Sequence, residues 1–398
     1  MRSSGGAPTS ELGNRPRSER AVARALLGLG PTTKALLVAA TGLSRPTVQS
    51  ALERLETGGL VEEAEDASAT STVGRKPHVY RLSARAGVAV GVEVGRRHVQ
   101  AVVLDAGYRK VLDVPHEEVE ASADENPLAV LDQVAKIVRR ILSEADPTLP
   151  LLGIGLGVPM PVTTEGRIGS DTLLPAWKDV HVAREMGDRL SGAQILVANE
   201  SSLGALGEAT FGIRKGAESL VYVKLGTGIG AGLILGGRIH RGAGGTAGEL
   251  GHTSVNHRGE TCPCGNRGCL ELYAGGRALL QNASDAGLDL AGIPDLVARA
   301  VAGDPGCHRI ITEAAMVIGS ALGTLVNLVG PQRILLGGSL SAAGGILQTP
   351  LEMTLRQSAL RPAVAALTVE PASLGRLASA WGAVALVVDQ VARAMPAR

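Results

Sequence analysis

The sequence predicts an α/β protein built as a small N-terminal winged helix-turn-helix followed by a larger body of two lobes. Three observations carry this reading. Helical periodicity broken by a glycine turn fills the front of the chain. From Gly87 onward, apolar strands alternate with helices, the mark of an α/β body. A glycine-rich stretch, Gly244 to Gly276, gathers three of the four cysteines. The length of 398 residues leaves room for two or three domains.

At the front, residues 1–17 mix Ser, Gly, Pro and Arg without periodicity and read as a disordered tail. The DNA-reading domain is expected over 18–85. Val22, Leu26 and Leu29 recur at helical spacing until Gly30-Pro31 ends the run. A second helix is expected from Thr33 to about Ala40, then a tight turn at Thr41-Gly42-Leu43. Ser44 caps a third helix with Pro46 in its first turn. Val48, Leu52 and Leu55 form the inner stripe of that helix. Ser44, Arg45, Thr47, Gln49, Ser50 and Arg54 are left outward, able to donate to phosphates and base edges from a major groove. A three-helix dimerisation module is the plain alternative. Leu60 to Leu82 reads as a hairpin with a polar tip over Glu63–Val73. After the tip, Arg75 and Lys76 stand in a Gly-Arg-Lys-Pro turn suited to a narrow minor groove. Residues 1–85 hold 12 basic against 8 acidic side chains, which points to a polyanion partner for the front alone.

The body divides into a first lobe over 86–200 and a second over 201–377, with a C-terminal helix, 378–396, returning to the first. Aromatics are 2% of the chain, so Leu, Val, Ile and Ala must fill its cores. Asn199-Glu200 ends a short apolar strand, where α/β sheets bind ligands. With Glu249 and Glu271 it makes an acceptor cluster suited to a polyhydroxyl ligand such as a sugar. Helix caps or solvated carboxylates are the plain alternative. The run Lys224 to Gly232 could cradle phosphates through backbone N–H groups, or could be a hairpin turn; it is not a Walker A loop.

His252, Cys262, Cys264 and Cys269 supply an imidazole and three thiolates, the ligand set of a closed, structural Zn²⁺ site spanning 252–269, with a reduced, buried cluster without metal as the plain alternative. Glu249 and Glu271 bracket it. Cys307 is left alone, so no disulfide framework remains and a reducing compartment is favoured. With no apolar leader and no run of membrane-spanning length, the protein is expected in the cytoplasm.

These segments resemble the ROK family (repressor, open reading frame, kinase), and within it the transcriptional regulators. The resemblance rests on His252 with the three cysteines, on Ala247-Gly248-Glu249-Leu250-Gly251-His252, on Cys269-Leu270-Glu271, and on Leu174-Pro175-Ala176-Trp177. At the front it rests on Thr41 to Val48 and Gly74 to Pro77. It implies an actin-like (RNase H-like) ATPase/sugar-kinase fold. It also implies sugar contacts from Glu249, His252 and Glu271 beside those expected of Asn199 and Glu200. Two departures imply loss of kinase activity. The family's Asp-x-Gly-Gly-Thr phosphate loop is here Glu93-Val94-Gly95-Arg96-Arg97, and the Asn-Asp pair that takes the sugar proton is here Asn199-Glu200. The expected protein is a cytoplasmic, sugar-responsive DNA-binding regulator of carbohydrate metabolism with a structural Zn²⁺. It would be a homodimer or homotetramer on a palindromic operator, without a membrane partner. An active sugar kinase that also binds DNA, and a regulator controlled by a protein partner, are the alternatives.

Overall fold

The computed structural model describes residues 15–64, 78–96, 98–120, 125–163, 166–168, 174–212 and 217–395. The expected tail up to residue 14, most of the hairpin tip with Arg75 and Lys76, and Arg97 lie outside the described residues.

Among the described residues, three helices form the front: α1 (Arg17–Leu29), α2 (Lys34–Thr41) and α3 (Arg45–Thr57). Local chemistry sets their ends. Thr33 and Ser44 accept from the backbone N–H of Leu36 and Thr47, satisfying first-turn donors. Gly42 ends α2 in the left-handed region, φ 67°. Val22, Leu26, Leu37, Val48, Leu52 and Leu55 are buried between the helices. Strands β1 (Thr32–Thr33), β2 (Val61–Ala64) and β3 (Val79–Leu82) make a small antiparallel sheet in the order β1-β3-β2. Thr33, read above as helical, is therefore extended: it pairs with Val79 and caps α2.

The first lobe holds β4 (Val88–Val94), β5 (His98–Asp105), β6 (Lys110–Glu118), α4 (Pro127–Ala145), β7 (Leu151–Val158), α5 (Val182–Arg189) and β8 (Ile195–Asn199). Helix α6 (Glu200–Phe211) leads into the second lobe. There lie β9 (Ser219–Leu225), β10 (Ile229–Leu235), β11 (Arg238–His240), α7 (Glu271–Ala274), α8 (Gly276–Asp285), α9 (Ile293–Val301) and α10 (Pro305–Val329). They are followed by β12 (Arg333–Gly337), α11 (Gly345–Ser358), α12 (Arg361–Val364) and β13 (Thr368–Pro371); α13 (Ala378–Ala394) closes the chain. The two sheets run β6-β5-β4-β7-β8 and β11-β10-β9-β12-β13. In each, the first three strands are antiparallel and the last two join in parallel. One topology is used twice.

Side chains alternate across a strand, and this decides what meets between the sheets. In β4, Val88, Val90, Val92 and Val94 join the outer core with α4, leaving Ala89, Gly91 and Glu93 on the inner face. In β9, Val221, Val223 and Leu225 join the outer core of lobe two, leaving Leu220, Tyr222 and Lys224 inward. Helices α6 and α13 lie between the two inner faces. Their approach is close: a Cβ on Gly382 would stand 1.7 Å from the Leu203 carbonyl oxygen. On Gly91 and Gly155 it would stand 2.0 and 2.1 Å from carbonyls of α13.

Both α10 and the α13 region are long and apolar enough to cross a membrane, contrary to the expectation that no run reaches that length. More than half of each apolar window is buried: α10 packs in the core of lobe two, and α13 between the sheets.

The front is joined to the body by a continuous apolar core in which α1 meets α13. Tyr108, at the β5–β6 turn, adopts φ 67°. Its Oη donates to the Leu27 carbonyl at 2.6 Å, and its ring lies against Gly30. The ring also meets Phe211 at 5.4 Å between centroids, and Phe211 meets Trp381 at 5.0 Å. Phe211 ends the helix that begins at Glu200.

Because both partners at Gly382 are main chain, Gly382→Ala cannot be absorbed by a rotamer change. It is expected to lower stability by about 2–3 kcal/mol, read as a lower urea midpoint with unchanged slope.

Candidate functional site

Asn199 spends its side chain on structure first. Its Oδ1 accepts from Ser201 N and Ser202 N at 2.9 and 3.0 Å, capping α6, and its Nδ2 donates to the Met160 carbonyl at 3.2 Å. One amide hydrogen is left for a ligand. The cap fixes Glu200 as the first residue of α6, between the lobes.

Glu200 meets a residue not picked out from the sequence. The Lys224 ammonium lies 2.7 Å from Glu200 Oε2 and 2.5 Å from Glu93 Oε1. Burial opposes the charge on Glu93, but Lys224 overrides it and, with His98, holds the carboxyl down to about 2. Burial pushes the Glu200 carboxyl up, with Lys224 opposing. Burial works against the Lys224 charge as well, yet the two carboxylates raise its pKa. The only signal in the sequence was a lysine at an inward position of an otherwise apolar strand.

The segment matching a phosphate loop is filled by its own side chain. A Cβ on Gly95 would stand 2.2 Å from His98 Cε1, so the imidazole occupies the space that glycine leaves. His98 stacks on His116 at 5.1 Å. The second glycine run resolves as the β9–β10 hairpin. Glu271 Oε2 accepts from Ile229 N at 2.8 Å and would lie 2.7 Å from a Cβ on Gly228, so Gly228 admits the carboxylate. Gly230 and Gly232 lie against Ser201 of α6.

Glu249 belongs to the same cluster. Burial, then Glu271, then Glu200, push its carboxyl up to about 7. Its Oε2 lies 4.0 Å from His252 Nε2. The other ring nitrogen, Nδ1, faces Cys262 Sγ at 3.7 Å, and Cys264 Sγ lies 3.6 Å from Cys269 Sγ. All four ligand atoms fall within 4.8 Å of one another. A tetrahedral ion with bonds of about 2.3 Å needs ligand atoms roughly 3.8 Å apart, so the group fits a metal. Its chemistry agrees: all four cysteines are free, and burial together with the neighbouring thiols pushes Cys269 up to about 12. Three thiols so close need a cation among them before all can ionise. The knot is a loop pinned by short pairings, Ser254 with Cys269 and Thr261 with Arg267. Trp177 is fully buried in the core of lobe one.

On the front, Ser44 and Arg45 are exposed, and Thr47, Gln49 and Ser50 half-buried. Lys34 of α2, missed in the sequence, reaches Gln49 Oε1, while Gln49 Nε2 donates to Glu53 at 2.6 Å. Arg54 is turned to another use: its Nε donates at 2.6 Å to the buried Glu19 of α1, and further hydrogen bonds reach Ser50 and Ser18. It ties α3 to α1.

The ROK family profile matches residues 89–390. The chain belongs to the ROK family. The xylose repressor of Bacillus subtilis (strain 168) is 27% identical over 374 residues, spanning 94% of this chain and 95% of that protein. The crystal structure of a ROK family transcriptional regulator, a homolog of the E. coli MLC protein, superposes with a TM-score of 0.74. It is 23% identical and covers 94% of this chain and 96% of its own. A ROK family glucokinase from Streptomyces griseus, solved with glucose and AMPPNP, gives 0.64 at 26% identity. The match takes in 99% of the glucokinase but only 75% of this chain. The two-sheet body is thus the ROK kinase fold, preceded here by a three-helix front.

The depressed Glu93 makes an acid-side prediction. A carboxyl held from 4.5 to about 2 adds stability that is fully present above pH 4.5 and lost as pH falls through 2. In Glu93→Gln that loss, about 3 kcal/mol, should vanish from the pH–stability profile between those limits.

Proposed function

We propose that this chain is a sugar-responsive, DNA-binding transcriptional repressor of carbohydrate metabolism that does not phosphorylate its sugar. The observation that carries the reading is the span of the matches. The xylose repressor and the regulator structure each match 94% of the chain, whereas the glucokinase stops at 75%. Outside the residues that the family profile matches, 89–390, lies a helix capped by Ser44 that presents Arg45, Thr47, Gln49 and Ser50, with Lys34 beside them. Arg75 and Lys76 would follow into the minor groove.

The sugar would bind between the lobes to Glu200, Glu249, His252 and Glu271, with the spare amide hydrogen of Asn199. Zn²⁺ would be held by His252 Nδ1, Cys262, Cys264 and Cys269. Four protein ligands leave no open position, so the ion is structural. It would aim His252 Nε2 and Glu249 at the sugar. The signal has a material route: α6 runs from Glu200 to Phe211, which touches Tyr108, whose hydroxyl holds α1. A sugar moves that equilibrium only by the difference of its affinities for the two states. A two-fold dimer in the cytoplasm would read a palindromic operator.

A thermal-shift screen of the zinc-loaded chain against free sugars, with and without MgATP, tests the reading. A free sugar should raise the melting temperature without ATP and change operator affinity; a shift that needs ATP would make the chain a kinase. The preparation should contain one Zn²⁺ per chain. Chelation, or Cys264→Ser, should lower the melting temperature and abolish the sugar response. Arg45→Ala should weaken operator binding by about 10-fold or more in a fluorescence-anisotropy titration, with the melting temperature unchanged.

A further inference from the structure

We propose that Lys224 is an internal cation that fills the carboxylate pair Glu93–Glu200 in place of a metal ion, and thereby restricts the pocket to uncharged sugars. The restriction on sugars rests on the effector reading above; the cation role does not.

Glu93 comes from the first lobe and is 2% exposed; Glu200 starts α6. Two carboxylates brought this close in a dry site need a cation or a shared proton. In a phosphoryl-transfer site that cation is a metal, bound along with phosphates. Here strand register supplies it, since alternation along β9 aims Lys224 inward at both acids, 2.5 and 2.7 Å away.

Charge then decides the ligand. Two carboxylates and one ammonium leave the triad at −1, and the second oxygen of Glu93 is buried without a hydrogen-bond partner among the described residues. At the triad, acceptors outnumber donors. Sugar hydroxyls bring donors without charge, whereas a phosphate would bring two more negative charges to an anionic, water-poor pocket. The usual donors to a phosphate are also taken: His98 fills the space at Gly95, and the Ile229 N–H is given to Glu271.

Titration of the zinc-loaded full chain with Mn²⁺, followed by the electron paramagnetic resonance of the free ion, tests the cation role without knowledge of the sugar. Lys224→Ala should bind one Mn²⁺ more than wild type, and Glu93→Gln added to it should remove that binding. Lys224→Arg, which keeps the cation, should fold and bind no extra Mn²⁺. If Lys224→Ala unfolds in metal-free buffer, recovery of its melting temperature by Mn²⁺ supports the role equally. A Lys224→Ala chain that takes up no more Mn²⁺ than wild type, or stays unfolded in its presence, overturns it.

The second arm compares D-glucose and N-acetylglucosamine with their 6-phosphates, and includes D-xylose, by calorimetry on wild type. A free sugar should bind at least about tenfold more tightly than its phosphate. Tighter binding of a phosphate overturns the exclusion and leaves the sugar-responsive reading intact. Binding of none of them removes the effector reading, while the Mn²⁺ result still decides the role of Lys224.

Discussion

The close crossing of α6 and α13 is the constraint on which the body depends. Each helix lies under the inner face of one sheet, and the two touch main chain to main chain at Gly382 and Leu203. This contact sets the separation of the lobes. It places the N-terminus of α6, with Glu200, opposite the end of β4, and brings its C-terminus, with Phe211, beneath the N-terminal helices. Small residues are required where backbones approach this nearly, which accounts for part of a glycine content of 53 in a chain with so few aromatics.

The parts of the fold governed by local rules were legible in the sequence. The cap at Ser44, the Gly42 turn and the apolar stripe of α3 follow from a few neighbouring residues. The His/Cys₃ group was legible because its ligands fall within one short loop. Other elements were not. Strand β1 has two residues and exists only through its partners Val79 and Tyr80. Helix α10 was not picked out, although His308, Arg309, Thr312, Glu313, Ser320 and Thr324 recur at helical spacing opposite its buried stripe.

The candidate site was read only in part for the same reason. Its carboxylates stood out, but the use each is put to depends on what the fold brings opposite. Arg54 reads from the sequence as a DNA contact, and the fold gives it a second use against Glu19, thirty-five residues earlier. Lys224 looked like part of a glycine loop until β9 was seen facing β4, so that an ammonium meets Glu93 across 131 positions of sequence. Asn199 looked like a ligand contact, and its first duty is to start a helix.

The scarcity of aromatic side chains has a practical side. The chain has two tryptophans. Trp177 is sealed in the core of the first lobe, and Trp381 is half-buried beside Phe211 at the junction with the front. The native protein thus carries two tryptophan fluorophores, separable from its four tyrosines by excitation wavelength, at separate stations. With one of them replaced by phenylalanine, emission from the other would report lobe packing or the junction alone, letting the order of events be followed in time without an attached dye.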